Sequence, residues 1–326
     1  MSGGRCIGVL GGGSIGTRHA SNLQALGIAE VVVFEPNEEA RRRIPAALAP
    51  SVVGTEAELW DRAPGAVLVC TPSAQHLEQA LGAVARGCDV FVEKPLASTV
   101  DGCSELVREA GRRQCVSMVA CNMRFHPGPA TVRRLLDEGR IGRVLGARIY
   151  CGSYLPSWRP WQDHRQSYSA HPDTGGAILD GIHEIDLALW LLGSATLRAA
   201  ASRSASSIGL DRTVGLAEIL LDHESGVLSS THLNFVQRDY SRGCELIGER
   251  GTIRWDFNSP VVTIRGGDTE EEAFPLPAGW KVNDMYLDEL RHFLASSESR
   301  SPTCNPFEGG LAALEIACAA HRSLTA

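Results

Sequence analysis

The sequence predicts an α/β protein in two parts, a doubly wound parallel sheet followed by an α+β part with a large, open and mostly antiparallel sheet. Up to about residue 122, strand-like and helix-like segments alternate, as they do where helices cover both faces of a parallel sheet. Beyond that point, strand-like segments follow one another with short turns, which is typical of antiparallel neighbours. We therefore expect domains over 1–122 and 123–326, with the last helix able to pack back on the first domain.

The first domain is expected to have short buried strands, such as 66–70, which is too apolar to face solvent. In the second domain a strongly periodic helix is predicted over 177–192, and the Ala- and Ser-rich stretch 199–207 is either a strand or a loop. The predicted strands are 5–11, 30–35, 66–71, 89–93, 115–121, 141–152, 214–221, 227–237, 243–248, 252–256 and 261–265. The predicted helices are 14–26, 38–44, 56–61, 75–86, 99–113, 127–138, 177–192, 284–296 and 307–324.

Length, charge and cysteine spacing argue against several classes of protein. The 326 residues suffice for two hydrophobic cores, and no apolar run approaches the roughly 18–20 residues that a membrane span needs. A net charge of -7 without a basic stripe argues against a nucleic-acid partner. The ten cysteines lack metal-ligand spacing, and as free or buried thiols they indicate the cytoplasm; the first strand also begins too early for a signal peptide.

A glycine-rich turn joins the first predicted strand to the first helix. Gly11 permits the tight turn, Gly13 lets the backbone approach a phosphate, and Gly16 lets the helix pack closely against the strand. Ser14 and Ile15 open that helix, so its positive end would face a pyrophosphate. The turn therefore predicts a dinucleotide-binding Rossmann domain, and the alternative is a glycine-rich surface turn.

An acid follows the second predicted strand at the position that selects the dinucleotide. Glu35 lies 19 residues after Gly16, near the spacing of the carboxylate that binds the adenosine ribose. Such a carboxylate repels a 2′-phosphate, which favours NAD over NADP. The arginines at 41–43 either receive a phosphate or form the solvated face of a short helix.

One lysine follows a buried strand at the edge of the sheet where such folds bind ligands. Lys94 precedes Pro95, which stiffens its placement and leaves a cis bond open. Thr71 and Pro72 end a strand at the same edge, and His76 opens the next helix. A dinucleotide site beside a lone amine indicates hydride chemistry with proton transfer, whereas the alternative is an exposed lysine.

A histidine with acidic neighbours lies on the periodic helix of the second half. On one helix, Asp180, His183 and Asp186 are spaced i, i+3 and form a polar stripe. Acids on both sides would control the charge and tautomer of His183, as proton transfer requires. The alternative is a surface helix with i, i+3 pairs, and zinc is disfavoured because no further Cys or His ligand lies nearby.

Aromatic residues and arginines alternate between residues 150 and 168. Aromatic rings suit the apolar faces of sugars, and arginine forks bind carboxylate or phosphate. The candidate substrate-binding residues here are Trp158, Arg159, Trp161, Arg165 and Tyr168. They indicate an anionic or nucleotide-linked sugar, unless the stretch is a loop that packs on a neighbouring domain or subunit.

Four motifs together resemble the glucose–fructose oxidoreductase / inositol dehydrogenase / MocA-like (Gfo/Idh/MocA) family over nearly the whole chain. The motifs are Gly11–Gly16, Thr71-Pro72…His76, Glu93-Lys94-Pro95 and Gly175-Gly176…His183…Asp186. The resemblance implies an NAD(P)-dependent oxidoreductase that acts on a hydroxyl of a sugar or cyclitol. It also implies a second domain whose open sheet forms homodimer or homotetramer contacts.

The resemblance also implies roles for residues. Lys94 matches the lysine that hydrogen-bonds the reacting oxygen and relays its proton, and His183 matches the proposed acid/base. Asp180 is similar to an aspartate upstream of that histidine, but two rather than three residues intervene, which turns it about 100° away on a helix. The expected dinucleotide-binding residues are Gly11, Gly13, Ser14, Ile15, Gly16, Glu35, Thr71, Pro72, His76, Glu93, Lys94 and Asn122. The expected substrate-binding residues are Arg124, Trp158, Arg159, Trp161, Arg165, Tyr168, Asp180 and His183.

Two other functions stay open from the sequence. One is a non-redox enzyme of the same fold, an epimerase, lyase or glycosidase that oxidises its sugar only transiently. The other is a non-catalytic NAD-binding sensor or partner subunit. A degraded site would favour the sensor, whereas Lys94 and His183 are both present.

Overall fold

The computed structural model describes residues 6–48, 51–266 and 271–323. They form two compact units, of which unit 1 comprises the described residues up to Asn122 and Val282–Ala312, and unit 2 comprises the described residues of Met123–Lys281 and those from Ala313 onward. The stretch 282–312, expected in the second domain from the sequence, thus belongs to unit 1. Residues 1–5, on which the expectation about a signal peptide rests, lie outside the described residues.

Unit 1 is built on a six-stranded sheet in which every pair is parallel, in the order β3-β2-β1-β4-β5-β6. Its strands are β1 (Cys6–Leu10), β2 (Glu30–Phe34), β3 (Val52–Val53), β4 (Ala66–Val69), β5 (Asp89–Glu93) and β6 (Ser117–Ala120). The helices that begin in this unit are α1 (Ser14–Ala25), α2 (Glu38–Arg41), α3 (Glu56–Trp60), α4 (Ser73–Ala85), α5 (Cys103–Arg112), α9 (Val282–Ser299) and α10 (Phe307–Ser323). The strand order reverses between β1 and β4, so ligands of this fold bind at the carboxyl ends of these two strands.

An ion pair between the buried Asp89 and the exposed Arg300 ties the late segment of unit 1 to its sheet. Arg300, directly after α9, donates to both carboxylate oxygens of Asp89 at the start of β5, at 2.8 and 2.7 Å. Asp89 is completely enclosed and also accepts the backbone N–H of Val116 at 2.8 Å. Farther along, the Asn305 side chain donates to the Val119 carbonyl of β6 at 3.0 Å. These contacts explain why α9 packs with the parallel sheet.

Unit 2 is built on an eight-stranded sheet in the order β14-β13-β12-β11-β7-β10-β9-β8. The pair β7–β10 is parallel and the other pairs are antiparallel, which confirms the predicted mostly antiparallel sheet. The strands are β7 (Val144–Tyr154), β8 (Ala195–Ala205), β9 (Leu210–His223), β10 (Leu228–Asn234), β11 (Val236–Gly248), β12 (Thr252–Asp256), β13 (Val261–Arg265) and β14 (Glu272–Pro275). The helices that begin in this unit are α6 (Pro127–Asp137), α7 (Gly176–Asp180) and α8 (Ile182–Leu192).

The predicted continuous helix over 177–192 is wrong, because it is broken at Gly181. A Cβ on Gly181 would lie 2.7 Å from Leu233 Cδ2 and 2.6 Å from the Ala177 carbonyl oxygen, so the chain passes β10 too closely for a side chain. Asp180 therefore ends one helix, and His183 lies in the first turn of the next. The single polar stripe expected for these two residues is not formed on one regular helix.

The stretch 199–207, left open as strand or loop, lies mostly in β8, which ends at Ala205. Six of the ten cysteines are buried. Among the described residues, no helix combines the length and the apolar character that crossing a bilayer requires.

Candidate active site

The glycine-rich turn lies where the strand order of unit 1 reverses. Gly11 has a φ of +99°, and a Cβ on it would lie 2.8 Å from the Cys70 carbonyl oxygen. A Cβ on Gly16 would lie 1.9 Å from the Gly11 carbonyl oxygen, so α1 approaches the turn only because Gly16 has no side chain. A Cβ on the exposed Gly13 would meet nothing within 4 Å. The turn is thus tight on its inner side and open at the first N–H groups of α1, as a bound pyrophosphate needs.

Glu35, directly after β2, is held beside this turn. Its carboxylate accepts the backbone N–H groups of Gly12 and Asn37, each at 3.0 Å. Arg41 donates to the carbonyls of Glu35 and Pro36 at 2.8 and 2.9 Å. The next two arginines pair with exposed acids of α2. Arg42 and Arg43 are thus solvated, whereas Arg41 is half-buried against backbone carbonyls.

His76 links two of the segments expected to meet the dinucleotide. Its Nδ1 lies 2.8 Å from the Pro95 carbonyl oxygen and its Nε2 lies 2.8 Å from the Thr71 carbonyl oxygen. Burial lowers the pKa of His76, although both carbonyls oppose this shift, so the neutral ring donates to only one of them. The peptide between Lys94 and Pro95 is cis. His76 thus lies between the loops after β4 and β5, close to a backbone carbonyl of each.

Lys94 follows β5 and is half-buried. Its backbone N–H donates to Glu93 Oε2 at 3.1 Å, and Glu93 Oε1 lies 2.7 Å from Nε2 of His19. Thr71 follows β4 in the same way, and Asn122 comes shortly after β6. Because β1, β4, β5 and β6 are adjacent parallel strands, the structure brings these expected residues to one edge of the sheet.

Two residues at this edge, Tyr286 and His19, were not identified from the sequence. Burial raises the pKa of the phenol of Tyr286 in α9, and the Asn122 side chain opposes this shift. The Arg18 guanidinium lies 4.5 Å from the centroid of the same ring. His19 is completely buried on α1. His19 could have been predicted from the sequence, because it lies three residues after Gly16 and therefore on the buried face of α1. Tyr286 could not, because it is far from the other site residues in the sequence.

In unit 2, arginines neutralise the two buried acids of α8. Asp186 accepts from Arg124 Nε at 2.9 Å and Nη2 at 2.6 Å. Glu184 accepts from Arg242 Nε at 2.6 Å and Nη2 at 3.2 Å. Burial lowers the pKa of Arg242, but Glu184, through its charge and its hydrogen bond, acts together with Cys151 and Tyr240 to raise this pKa overall. Asp186, expected as a flanking acid of His183, and Arg124, expected to bind substrate, thus form an ion pair with each other.

Asp180 and His183 lie near the carboxyl end of β10, because the Gly181 between them packs against Leu233. Both side chains are buried, with 8% and 9% of the residue exposed. Their roles in proton transfer stay predictions. In the described part of the chain, no three His, Cys, Asp or Glu side chains cluster as a metal ion would need.

The aromatic stretch begins at the same end of the unit 2 sheet. Trp158 Nε1 donates to Ser153 Oγ of β7 at 3.1 Å, and its ring packs edge-on against Phe235 with 5.1 Å between centroids. Trp158 is therefore anchored to the ends of β7 and β10. Trp161, by contrast, is 82% exposed.

The two arginines of this stretch differ in their partners. Arg165 donates to Asp163 Oδ1 at 3.0 Å and Oδ2 at 2.7 Å, and these hydrogen bonds lower the pKa of Asp163 to about 2. Arg159 lies 5.5 Å from the ring centroid of Tyr168. Within the described ranges it has no carboxylate within 4.0 Å. The forked N–H groups of Arg159 are thus open to an anion, whereas Asp163 already neutralises Arg165.

Two family models match the chain. Residues 5–121 match an oxidoreductase family with an NAD-binding Rossmann fold, and residues 130–254 match the GFO/IDH/MocA C-terminal domain. Inositol 2-dehydrogenase 2 of Saccharopolyspora erythraea is 33% identical, over 91% of this chain and 87% of its own. The chain belongs to the GFO/IDH/MocA family. This membership confirms the predicted oxidoreductase and its NAD-binding Rossmann domain.

Solved structures share the fold of this protein over nearly the whole chain. Levoglucosan dehydrogenase in complex with NADH has a TM-score of 0.87 at 20% identity, covering 98% of this chain and 97% of that one. A 3-ketoreductase variant from Actinomadura kijaniata, in complex with TDP-benzene and NADP, has a TM-score of 0.79 at 24% identity, covering 98% of both chains. These likenesses confirm the predicted fold class.

Proposed function

We propose that this member of the family is an NAD-dependent dehydrogenase or reductase acting on CH–OH groups. It moves a hydride between the nicotinamide and a hydroxyl- or ketone-bearing carbon of a sugar, sugar nucleotide, sugar acid or cyclitol. One observation carries the proposal: Lys94 follows β5 at the sheet edge that also carries the open turn after β1. The relative named as an inositol 2-dehydrogenase supports the substrate class.

In the proposed reaction three side chains have roles, namely Lys94, His183 and Asp180. The nicotinamide, when bound, supplies the hydride acceptor or donor. In the oxidising direction the neutral Lys94 amine takes up the hydroxyl proton at Nζ, and in the reducing direction the ammonium returns it to the reacting oxygen. His183 is the second proton carrier, and Asp180 orients it. Groups that move a proton in the transition state each contribute about 10²–10⁴-fold.

Absorbance at 340 nm tests this function directly. The purified protein is incubated with NAD and a panel of cyclitols, sugar acids and nucleotide sugars, and at least one compound gives NADH in stoichiometric amount. An enzyme with transient internal oxidation converts its sugar without a net absorbance change, and a sensor binds NAD but converts nothing. Either of those two results contradicts the proposal.

Glu35 is the proposed determinant of a preference for NAD over NADP. Glu35→Ala removes an acceptor for the ribose hydroxyls and the charge that repels a 2′-phosphate. We expect the ratio of the NADPH to the NADH dissociation constant to fall by about 10-fold, measured by fluorescence titration. Glu39→Ala is the control, because Glu39 is exposed and pairs with Arg43. An unchanged ratio in the Glu35 variant would remove this residue from cofactor selection.

Arg159 is the proposed ligand of an anionic group on the substrate. Losing a charge-assisted hydrogen bond costs about 1.5–3 kcal/mol, so Arg159→Ala raises KM for a sugar acid or nucleotide sugar by about 10-fold or more, with little change in kcat. Arg165→Ala changes KM by less than about twofold, because Asp163 already neutralises that guanidinium. Steady-state kinetics compare both variants. If the two variants change KM equally, or if Arg159→Ala raises KM for a neutral cyclitol as much as for an anionic compound, the proposal of an anionic substrate is contradicted.

Two copies of the chain are proposed to associate through the open face of the unit 2 sheet. Leu228 and Ile247 flank Gly146 on neighbouring strands, and they are 49% and 43% exposed. Exposed apolar patches of this kind mark protein contacts. Leu228→Arg therefore shifts the sedimentation coefficient toward the monomer, whereas Val282→Arg, at an exposed position of unit 1, does not. A Leu228 variant with the native sedimentation coefficient contradicts this interface.

A further inference from the structure

His19 is a buried histidine that the mechanism above does not use. It lies on α1, five residues after the first residue of that helix, and it is 0% exposed. Its ring packs edge-on against Phe91 and Tyr286, with centroid distances of 5.2 and 6.0 Å. A polar ring so enclosed is costly unless it is hydrogen-bonded.

The polar contact of this ring is with Glu93. Its Nε2 lies 2.7 Å from Glu93 Oε1, a distance typical of a charge-assisted hydrogen bond. Its Nδ1 has no hydrogen-bond partner among the residues that the structure describes. An ionised carboxylate only accepts, so the proton of the ring resides on Nε2 and is donated to Glu93.

The other oxygen of Glu93 holds the peptide that carries Lys94. Glu93 Oε2 accepts the Lys94 backbone N–H at 3.1 Å. The carboxylate is therefore engaged at both oxygens, by a side chain of α1 on one side and by the end of β5 on the other. Removing the donor from α1 leaves a buried carboxylate free to turn away from the Lys94 peptide.

We propose that His19 is a positioning residue, which aims Lys94 by holding the Glu93 carboxylate against the Lys94 backbone. This role rests on the proposed function, because it matters for turnover only if Lys94 acts on the reacting oxygen. The described contacts of the His19 ring are with Glu93, Phe91 and Tyr286, which lie outside the turn after β1. The loss of His19 consequently lowers turnover and spares dinucleotide binding.

Two polar replacements of His19 test whether a donor at the position of Nε2 is required. The amide nitrogen of glutamine extends about as far as Nε2 of histidine, whereas that of asparagine extends only as far as Nδ1. We expect His19→Gln to keep kcat within about threefold of the native value and His19→Asn to lose about 10-fold or more. Asn22→Ala is the control on the same helix, because Asn22 pairs with Asn283 and not with Glu93. The variants are assayed with the compound of the panel that gives the native protein its largest absorbance change at 340 nm.

Amine labelling in the protein without cofactor gives a readout independent of catalysis. The chain has two lysines, Lys94 and Lys281, so reductive methylation with formaldehyde and a borohydride, followed by peptide mass spectrometry, reports on Lys94 with Lys281 as internal reference. In His19→Asn the Lys94 rate relative to Lys281 rises about threefold or more, because the peptide that carries the half-buried Lys94 is no longer held by Glu93. In His19→Gln and Asn22→Ala the ratio of the Lys94 to the Lys281 labelling rate stays at the native value.

The outcomes separate this role from the function on which it rests. Equal kcat in the two His19 variants, an unchanged or lower Lys94 labelling rate in His19→Asn, or a weakened NADH affinity in that variant each overturn the positioning role. If these occur while Lys94→Ala is inactive, the proposed function stands without His19. If Lys94→Ala retains full turnover, or if no compound of the panel is oxidised, the proposed function and the positioning role both fail.

Discussion

Replacing Lys94 with alanine lowers kcat by about 10²-fold or more and leaves the NADH dissociation constant within about twofold. The loss is large because the variant lacks the amine proposed to hold the reacting oxygen and to move its proton. Affinity is kept because the open turn and Glu35 lie on other strands of the sheet. Stopped-flow turnover and fluorescence titration of NADH measure the two quantities.

Lys281→Ala is the matched control for this result, since Lys281 is the other lysine of the chain and is exposed. Its kcat stays at the native value. Native turnover in the Lys94 variant, with the same substrate, would show that the amine has no part in the chemistry.

Gly13→Val abolishes most NADH binding without lowering the melting temperature. The exposed Gly13 has a φ of -67° that valine adopts, and its Cβ direction is free of protein atoms within 4 Å, so the fold accepts the side chain. The same space is where the pyrophosphate is proposed to lie. We expect the dissociation constant to rise by about 10-fold or more, equivalent to about 1.4 kcal/mol. Calorimetric titration with NADH measures the change.

Gly16→Ala is the opposite case in the same turn. Its Cβ would lie 1.9 Å from the Gly11 carbonyl oxygen, so α1 must move away from the turn. Overpacking of this kind costs about 1–3 kcal/mol, which thermal unfolding detects as a lower melting temperature. A Gly13 variant that unfolds as early as the Gly16 variant, or that binds NADH normally, contradicts the proposed pyrophosphate position.

The parallel half of the protein was predictable because its signals are local. Each strand is a short apolar run, and the turn containing Gly11 and Gly16 stands directly between a strand and a helix. Glu35 and Lys94 could be placed at the ligand edge for the same reason, since each directly follows a strand. The two-residue strand β3 was not predicted, because so short a segment carries no periodicity.

Contacts between distant segments could not be predicted. The pair of Asp89 and Arg300 spans 211 residues, and it holds α9 with a sheet whose strands end near residue 120. The break at Gly181 depends on Leu233 of another strand, so a helical periodicity argument over 177–192 could not reveal it. The ion pair of Arg124 and Asp186 likewise joins residues 62 positions apart.

The spacing of Asp163 and Arg165 is a local signal that the two residues pair. Asp163 and Arg165 are two residues apart, and an Asp that accepts the backbone N–H of a residue two positions on is a common turn motif. That spacing indicated an arginine already paired with a nearby acid. Arg159, without such a neighbour, was the better candidate for binding an anion from the beginning.

A crystal structure with NADH and the best substrate of the panel tests the central claim most directly. The pyrophosphate is expected at the N–H groups of Ser14 and Ile15, and Lys94 Nζ within about 2.6–3.2 Å of the reacting oxygen beside the nicotinamide. A dinucleotide bound away from the turn after β1, or a Lys94 amine directed into bulk solvent, would contradict the proposed hydride chemistry.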